Sequence, residues 1–300
     1  SKETTPGNYE NIGNTLPILV GKYKVNVKIT SVNYIESESS VDFEITPITT
    51  EVKVKSFDET FTYDGSEHTK NAYDVLISNL ALAYNQPKQN ICLTPSGMNA
   101  VYCALKGLKN IQNKNGKTKL IQLGWLYLDT MNIVEHYFNE NKIFYDINNL
   151  ELLEDYLKIQ GHTISAIITE IPTNPLLQTV DLSRLKKLCT KYNIVLVIDA
   201  TFATPYNLDL KPYADIYIES LTKFACGNAD VLMGAIILNE NSKISVMSQE
   251  FFKHADMPYI KDIQRLAFQI KDYEKRMKII SKNTKELVKY FQTAPFIDEI

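Results

Sequence analysis

At 300 residues, 44% hydrophobic and 22% charged, with a formal net charge of -3, the chain has the make-up of a folded globular protein and not of a disordered one. The near-balanced charge gives no electrostatic footprint for DNA or RNA, and no apolar run approaches the roughly 20 residues needed to cross a bilayer. Cys92, Cys103, Cys189 and Cys226 are widely spaced, without a Cys-x-x-Cys pair or nearby histidines, which argues against a zinc site and fits free thiols in a reducing cytoplasm.

The first residues, Ser-Lys-Glu-Thr-Thr-Pro-Gly, lack the apolar stretch of a signal peptide, and the start at Ser1 instead of Met fits a trimmed chain or a fragment. In the first 55 residues Tyr23, Val25, Val27 and Ile29 alternate with polar residues, as do Val41, Phe43 and Ile45. Period two with β-branched and aromatic residues predicts half-buried strands. With Asn33 and Tyr34 between the two runs, the segment is similar to a piece of an immunoglobulin-like bacterial repeat, and it reads equally well as an irregular β-rich arm.

From about residue 70 the pattern becomes alternating helix and strand. Ala72, Val75, Leu76, Leu80 and Ala83 follow helical spacing, and Ile91 to Leu93 is a short apolar run. Met98, Val101, Tyr102, Leu105 and Leu108 form the stripe of an amphipathic helix. Leu150, Leu153 and Leu157 mark another, and Ile164 to Thr169 reads as a strand. Asp181 is placed to cap a helix carrying Leu182, Leu185, Leu188 and Cys189 on one face. Ile194 to Ile198, Ile216 to Ile218 and Val231 to Leu238 are continuous apolar runs, and a long amphipathic helix is expected within 262–291. Continuous runs between helices predict an α/β fold with a parallel sheet covered on both faces. Ligands of such sheets bind beyond the carboxyl ends of the strands, which draws attention to Thr94–Met98, Asp199–Pro205 and Ser220–Lys223.

Ser220-Leu221-Thr222-Lys223 places two hydroxyls beside a lysine, a set able to hold a phosphate while the amine meets an aldehyde; alone it is equally a strand end with a solvated lysine. Asp199 ends an apolar run, where a carboxylate needs a cationic or hydrogen-bonded partner. A protonated pyridine nitrogen is one such partner, and a local Asx turn is the plainer alternative. In Thr94-Pro95-Ser96-Gly97-Met98, Gly97 permits close backbone approach and the helix start offers free amides to an anion. The segment has no Walker lysine, which disfavours ATP. Tyr127 offers a flat aromatic face, although with 18 tyrosines a single one is usually packing. Pro172-Thr173-Asn174-Pro175 is a turn that presents the Asn174 amide. His68, His136, His162 and His254 are isolated and are assigned no role.

In this order the pieces resemble the Cys/Met-metabolism family of pyridoxal-phosphate (PLP) enzymes, the trans-sulfuration group, over residues 70–300. Glu170-Ile171-Pro172-Thr173-Asn174-Pro175-Leu176-Leu177 is similar to the family's Glu-x-Pro-Ser/Thr-Asn-Pro-Leu-Leu signature. Asp199-Ala200-Thr201-Phe202-Ala203-Thr204-Pro205 resembles Asp-Asn-Thr-Phe-Ala-Thr-Pro, and Ser220-Leu221-Thr222-Lys223-Phe224 resembles Ser-x-Thr-Lys-Tyr/Phe. Gly227, Asp230, Val231 and Gly234 also fit. Tyr127-Leu128-Asp129-Thr130 and Arg265 through Tyr273 look most like the cystathionine γ-synthase branch.

The resemblance implies an α/β, type I aminotransferase-like PLP-dependent transferase. Residues 1–55 would be the β-rich segment, 56–245 the PLP-binding large domain, and 246–300 an interdomain helix and the start of a truncated small domain. It implies that Lys223 attaches the cofactor and then serves as general base and acid, and that Asp199 keeps the ring nitrogen protonated. Tyr127 would stack on the ring, while Ser220, Thr222 and the amides of Gly97 and Met98 bind the phosphate. Asn174 would lie near the ring's phenolic oxygen or the substrate carboxylate. The implied reaction is γ-replacement on an O-acylated homoserine by cysteine to give cystathionine, with γ-elimination or homoserine sulfhydrylation as the alternative. The implied assembly is a cytoplasmic homodimer or homotetramer with no metal, nucleic-acid or membrane partner. The sequence also departs from the family. The Tyr-x-Arg segment that reaches a neighbour's phosphate corresponds to Phe61-Thr62-Tyr63-Asp64-Gly65, and no arginine precedes Arg184. The substrate-carboxylate arginine would lie beyond Ile300. A non-catalytic binding protein and an extracellular adhesion module are the rival readings.

Overall fold

The computed structural model describes residues 2–5, 8–10, 21–31, 34–45, 52–56, 59–63, 68–112, 116–138 and 140–294. Contacts divide the chain into two units, Ser1–Glu67 and His68–Ile300. In the first, β1 (Lys2–Thr5), β2 (Asn8–Glu10), β3 (Gly21–Ser31) and β4 (Tyr34–Ile45) form a sheet in the order β2-β1-β3-β4. The predicted alternation becomes cross-strand pairing, with Tyr23 opposite Phe43 and Val25 opposite Val41. β5 (Val52–Ser56) and β6 (Glu59–Tyr63) form a separate antiparallel pair. Asn33 of the expected Asn-Tyr turn, and Asp64 and Gly65, lie outside the described residues.

The second unit runs through α1 (His68–Ala83), β7 (Ile91–Thr94), α2 (Gly97–Gln112), β8 (Lys119–Leu123), α3 (Leu128–Tyr137), β9 (Asn141–Phe144) and α4 (Leu150–Gln160). It continues through β10 (Ile164–Glu170), α5 (Leu182–Tyr192), β11 (Val195–Asp199), α6 (Thr204–Asn207), β12 (Ile216–Glu219) and β13 (Gly234–Leu238). It closes with α7 (Ser248–Phe252), α8 (Ile260–Gln269) and α9 (Tyr273–Thr293). Asp181 caps α5 as predicted, its carboxylate accepting the Arg184 amide at 2.9 Å. The long C-terminal helix is divided by a 3-10 turn at Ile270–Asp272.

One seven-stranded sheet organises this unit, in the order β7-β13-β12-β11-β10-β8-β9. The expectation of a parallel sheet needs correcting. β13 runs antiparallel to both β12 and β7, so the sheet is mixed. A parallel return needs a crossover, usually a helix, and none intervenes between Glu219 and Gly234. Instead Thr222 donates its amide to the Met233 carbonyl at 3.1 Å, folding the connection back on itself.

Successive strand residues face opposite cores. In β11, Leu196 and Ile198 join the cluster that includes Leu76, Leu153, Leu185 and Leu266, while Val195 and Val197 join that of Ala104, Leu108, Val134 and Phe251. Helices α1, α4, α5 and α8 therefore cover one face, and α2, α3 and α7 the other. That double burial explains why the strands read as unbroken apolar runs. Among the described residues no helix is long and apolar enough to cross a membrane.

Candidate active site

The carboxyl ends of β10, β11 and β12 bring three acids onto adjacent strands. Glu170 pairs in register with Asp199, and Asp199 with Ile218, the residue before Glu219. Glu170 is buried and ties two segments together. Its Oε1 accepts the Tyr127 amide and its Oε2 the Asn174 amide at 3.4 Å. Burial, and then the neighbouring Asp199, push its carboxyl up to about 7, against the pull of those two amides.

Asp199 is partly buried, and withdrawal from water raises its pKa. Thr201 opposes this, its amide donating to Asp199 Oδ1 at 2.9 Å. The Thr201 hydroxyl in turn accepts the Ser220 amide at 2.8 Å. Thr201 thus holds the acid at the end of β11 and the hydroxyl residue after β12 in one arrangement.

Ser220 meets the start of α2. A Cβ on Gly97 would fall 2.7 Å from Ser220 Cβ and 3.0 Å from its Oγ, so only glycine admits this approach. Ser96 caps the helix, its Oγ accepting the Asn99 amide at 3.1 Å and its carbonyl the Ala100 amide at 3.1 Å. The amides of Gly97 and Met98, in the first turn, have no carbonyl of their own helix to bond. Free amides of this kind suit an anion, and the Ser220 side chain lies against this helix start. Gly234 lies behind it, where a Cβ would sit 2.4 Å from the Ser96 carbonyl oxygen and 2.7 Å from the Gly97 nitrogen. Gly234→Ala is expected to cost about 1–3 kcal/mol by forcing this backbone apart. Urea unfolding checks it, through a lowered midpoint at unchanged slope.

The predicted residues therefore fall mostly into one connected path, from Gly97 to Ser220, Thr201, Asp199, Glu170, and then Tyr127 and Asn174. Tyr127 stands at the N-cap of α3 and is 51% exposed. Asn174 is exposed. Lys223 is exposed and closes a tight turn, its amide donating to the Ser220 carbonyl at 3.1 Å. Thr222 faces differently from its expected place on the phosphate. Its Oγ1 accepts the Met233 amide at 3.0 Å and donates to the Met233 carbonyl at 3.2 Å. Three contributors carried no expectation of their own, namely Thr201, Glu170 and Glu219. The first two stand inside the quoted motifs, and Thr201 is two residues after Asp199, the spacing of an Asx turn. Glu219 has no such signal, because its partners Tyr84 and Tyr273 are remote in sequence.

The carboxyl ends of this mixed sheet thus carry a glycine-started helix against Ser220, the acids Glu170 and Asp199, and an exposed lysine in a tight turn, residue types suited to a phosphorylated cofactor. The family of Cys/Met metabolism PLP-dependent enzymes matches residues 23–300, and the chain belongs to that family. The L-2-amino-4-chloropent-4-enoate dechlorinase/desaturase of Streptantibioticus cattleyicolor is 36% identical over 68% of this chain and 42% of its own length. The cystathionine gamma-synthase of Neurospora crassa is 30% identical over 71% of this chain and 35% of its own. The chain thus spans less than half the length of either relative. Among solved structures, a cystathionine gamma-lyase from Lactobacillus plantarum in complex with L-serine is alike in fold, with a TM-score of 0.61 at 21% identity over 82% of this chain and 62% of that one.

The residues present fit pyridoxal phosphate. The absent Cβ of Gly97 lets the hydroxyl residue Ser220 lie against the free amides of the α2 start, a donor set suited to a phosphate, and Asp199 is an acid whose burial a cationic partner would relieve.

Proposed function

We propose that the chain carries the cofactor-binding part of a trans-sulfuration enzyme whose amino-acid substrate bears a leaving group on Cγ. The reaction that suits it is γ-replacement, in which an O-acylated homoserine releases its carboxylic acid and the thiol of cysteine adds to give cystathionine. The single observation behind this reading is the unbroken path from the Gly97 cradle through Ser220, Thr201 and Asp199 to Glu170. It supports a reading in which a phosphate site, a ring-nitrogen partner and a tyrosine over the ring come from adjoining segments.

When bound, pyridoxal phosphate supplies an electron sink for negative charge at Cα. The chain's own residues do the rest. Lys223 Nζ is the attachment point and, once freed, moves protons at Cα and Cβ of the substrate. Asp199 holds the ring nitrogen in its cationic form, Gly97, Met98 and Ser220 hold the phosphate, and Tyr127 shields the ring face. Glu170 fixes the backbones of Tyr127 and Asn174 on either side. A homo-oligomer in a reducing cytoplasm completes this proposal.

Elimination without replacement is a second reading, and the relative from S. cattleyicolor favours it. The name of that protein puts a departing chlorine on the fourth carbon of a 2-amino acid, the same γ position. To test both, the chain is titrated with pyridoxal phosphate while visible absorbance and the fluorescence of Trp125, its single tryptophan, are followed. O-Succinylhomoserine is then supplied with and without cysteine. Cystathionine formation supports replacement, and release of ammonia and a 2-oxo acid supports elimination. Cofactor uptake with neither product favours a binding protein, and absence of uptake overturns the assignment.

A further inference from the structure

We infer that Tyr273 and Arg276, one turn apart on α9, form a two-sided clamp that sets the position of the lysine-bearing turn Ser220–Lys223. The inference rests on the reading of Lys223 as the cofactor's attachment point. Its geometry stands independently of any bound group.

On the near side of the turn is Glu219, fully buried at the end of β12. Its Oε1 accepts the Tyr273 hydroxyl at 2.7 Å and its Oε2 the Tyr84 hydroxyl at 2.5 Å. On the far side, Arg276 Nη2 donates to the carbonyls of Phe224 at 3.2 Å and Ala225 at 2.7 Å. Residues three apart on a helix share a face, and here the guanidinium carbon lies 6.0 Å from the centre of the Tyr273 ring. One helix face therefore holds the residue before the turn and the two residues after Lys223. A second contact deepens the grip. Gln269 receives an Arg276 Nη1 bond on its backbone carbonyl at 2.9 Å, and its Oε1 accepts the Gly227 amide at 2.7 Å. Gly227 leaves room for this, since a Cβ there would stand 3.2 Å from the guanidinium carbon.

Lys223 is exposed, so the packing of its side chain does little to direct it. Its placement must come from the backbone on either side, which is what the clamp fixes. Guanidinium is suited to the task because its planar fork serves several carbonyls at once, which a lysine ammonium at the same position does not reproduce. The helix that leaves the cofactor-binding part of the chain thus positions the lysine without touching the reacting atoms.

Arg276→Lys and Tyr273→Phe test the clamp, with Lys278→Ala on the exposed side of the same helix as control. Amide hydrogen exchange across 220–228 needs no cofactor. It is expected to speed up about tenfold to a hundredfold in both variants, while the strands of the sheet stay protected. In parallel, pyridoxal phosphate is expected to bind more weakly, by a similar factor, and with an altered visible absorbance maximum. Unchanged exchange at 220–228 in both variants overturns the clamp, as does acceleration spread evenly over the whole unit, which marks a merely structural role. If the unmodified chain takes up no cofactor, the reading of Lys223 fails, and the exchange measurement still decides the clamp.

Discussion

Lys223→Ala is expected to erase the visible absorbance of the cofactor-loaded chain and to lower turnover by about 10²–10⁴-fold through loss of proton transfer alone. The reasoning is local. The lysine is exposed and stands in a turn whose shape is set by backbone bonds, the Lys223 amide to Ser220 and the Thr222 amide to Met233. Removing its side chain takes away a nucleophile and a base but almost no packing. An exposed substitution of this kind shifts stability by roughly 0.5 kcal/mol at most. Unaltered urea unfolding together with lost absorbance and turnover is the expected pair of results. Retained absorbance and full turnover in the alanine variant would place the attachment point elsewhere and remove the basis for the proposed reaction.

Asp199→Asn is expected to have the second-largest effect on turnover and to leave the unloaded chain at least as stable as before. Asparagine keeps an oxygen for the Thr201 amide that Asp199 Oδ1 accepts at 2.9 Å. What disappears is the negative charge proposed to face a cationic ring nitrogen. Leaving a buried cation without its partner costs about 2–5 kcal/mol, which corresponds to roughly 30-fold to several thousand-fold in rate. Without the cofactor the balance reverses, because Asp199 sits beside Glu170 and each is held in poorly solvated surroundings. Neutralising one relieves repulsion on the other, so the Glu170 carboxyl should titrate below its present value of about 7. A variant that unfolds more easily and binds the cofactor normally would make Asp199 a structural residue only. Denaturant unfolding of the unloaded chain and steady-state kinetics of the loaded one separate the two.

The parts of this structure legible from the sequence are those where one segment carries the whole signal. Asp181 lies before a helical stripe and caps α5. The strands β10, β11 and β12 are buried on both faces, and their residues are apolar without alternation. Asp199 and Ser220 stand at strand ends, and Gly97 at a helix start, all positions defined by neighbours within a few residues. The direction of β13 was not legible in this way. Whether a strand returns parallel or antiparallel depends on what fills the connection, and Ser220–Met233 contains no periodicity that tells a tight loop from a short helix. Strands β8 and β9 do not stand out because Lys119 and Gln122 interrupt the apolar residues of the first, and Asn141 and Lys142 open the second. The Glu219 pocket was hidden for a different reason. A glutamate between Ile218 and Ser220 reads as a solvated residue, and only the convergence of Tyr84 and Tyr273 makes it a buried one. The same convergence gives Arg276 its meaning, since its partners are backbone carbonyls that carry no residue signature.

The reversed strand has a consequence for how the protein emerges during synthesis. β7 is made first among the seven strands, yet it lies at the sheet's edge and its one neighbour is β13, made last. Asn90, at the entry to β7, bonds the Leu238 carbonyl 148 positions further on. The acid-bearing half around β10 and β11 can assemble from neighbouring segments. The half around Gly97 must wait, because Gly97 meets Ser220 only after β12 exists and Gly234 closes on it later still. Distant pairings of this kind are slow to close. A nascent chain released before residue 238 would therefore carry the acids and the lysine while β7 still lacked its strand partner and the start of α2 its backing at Gly234.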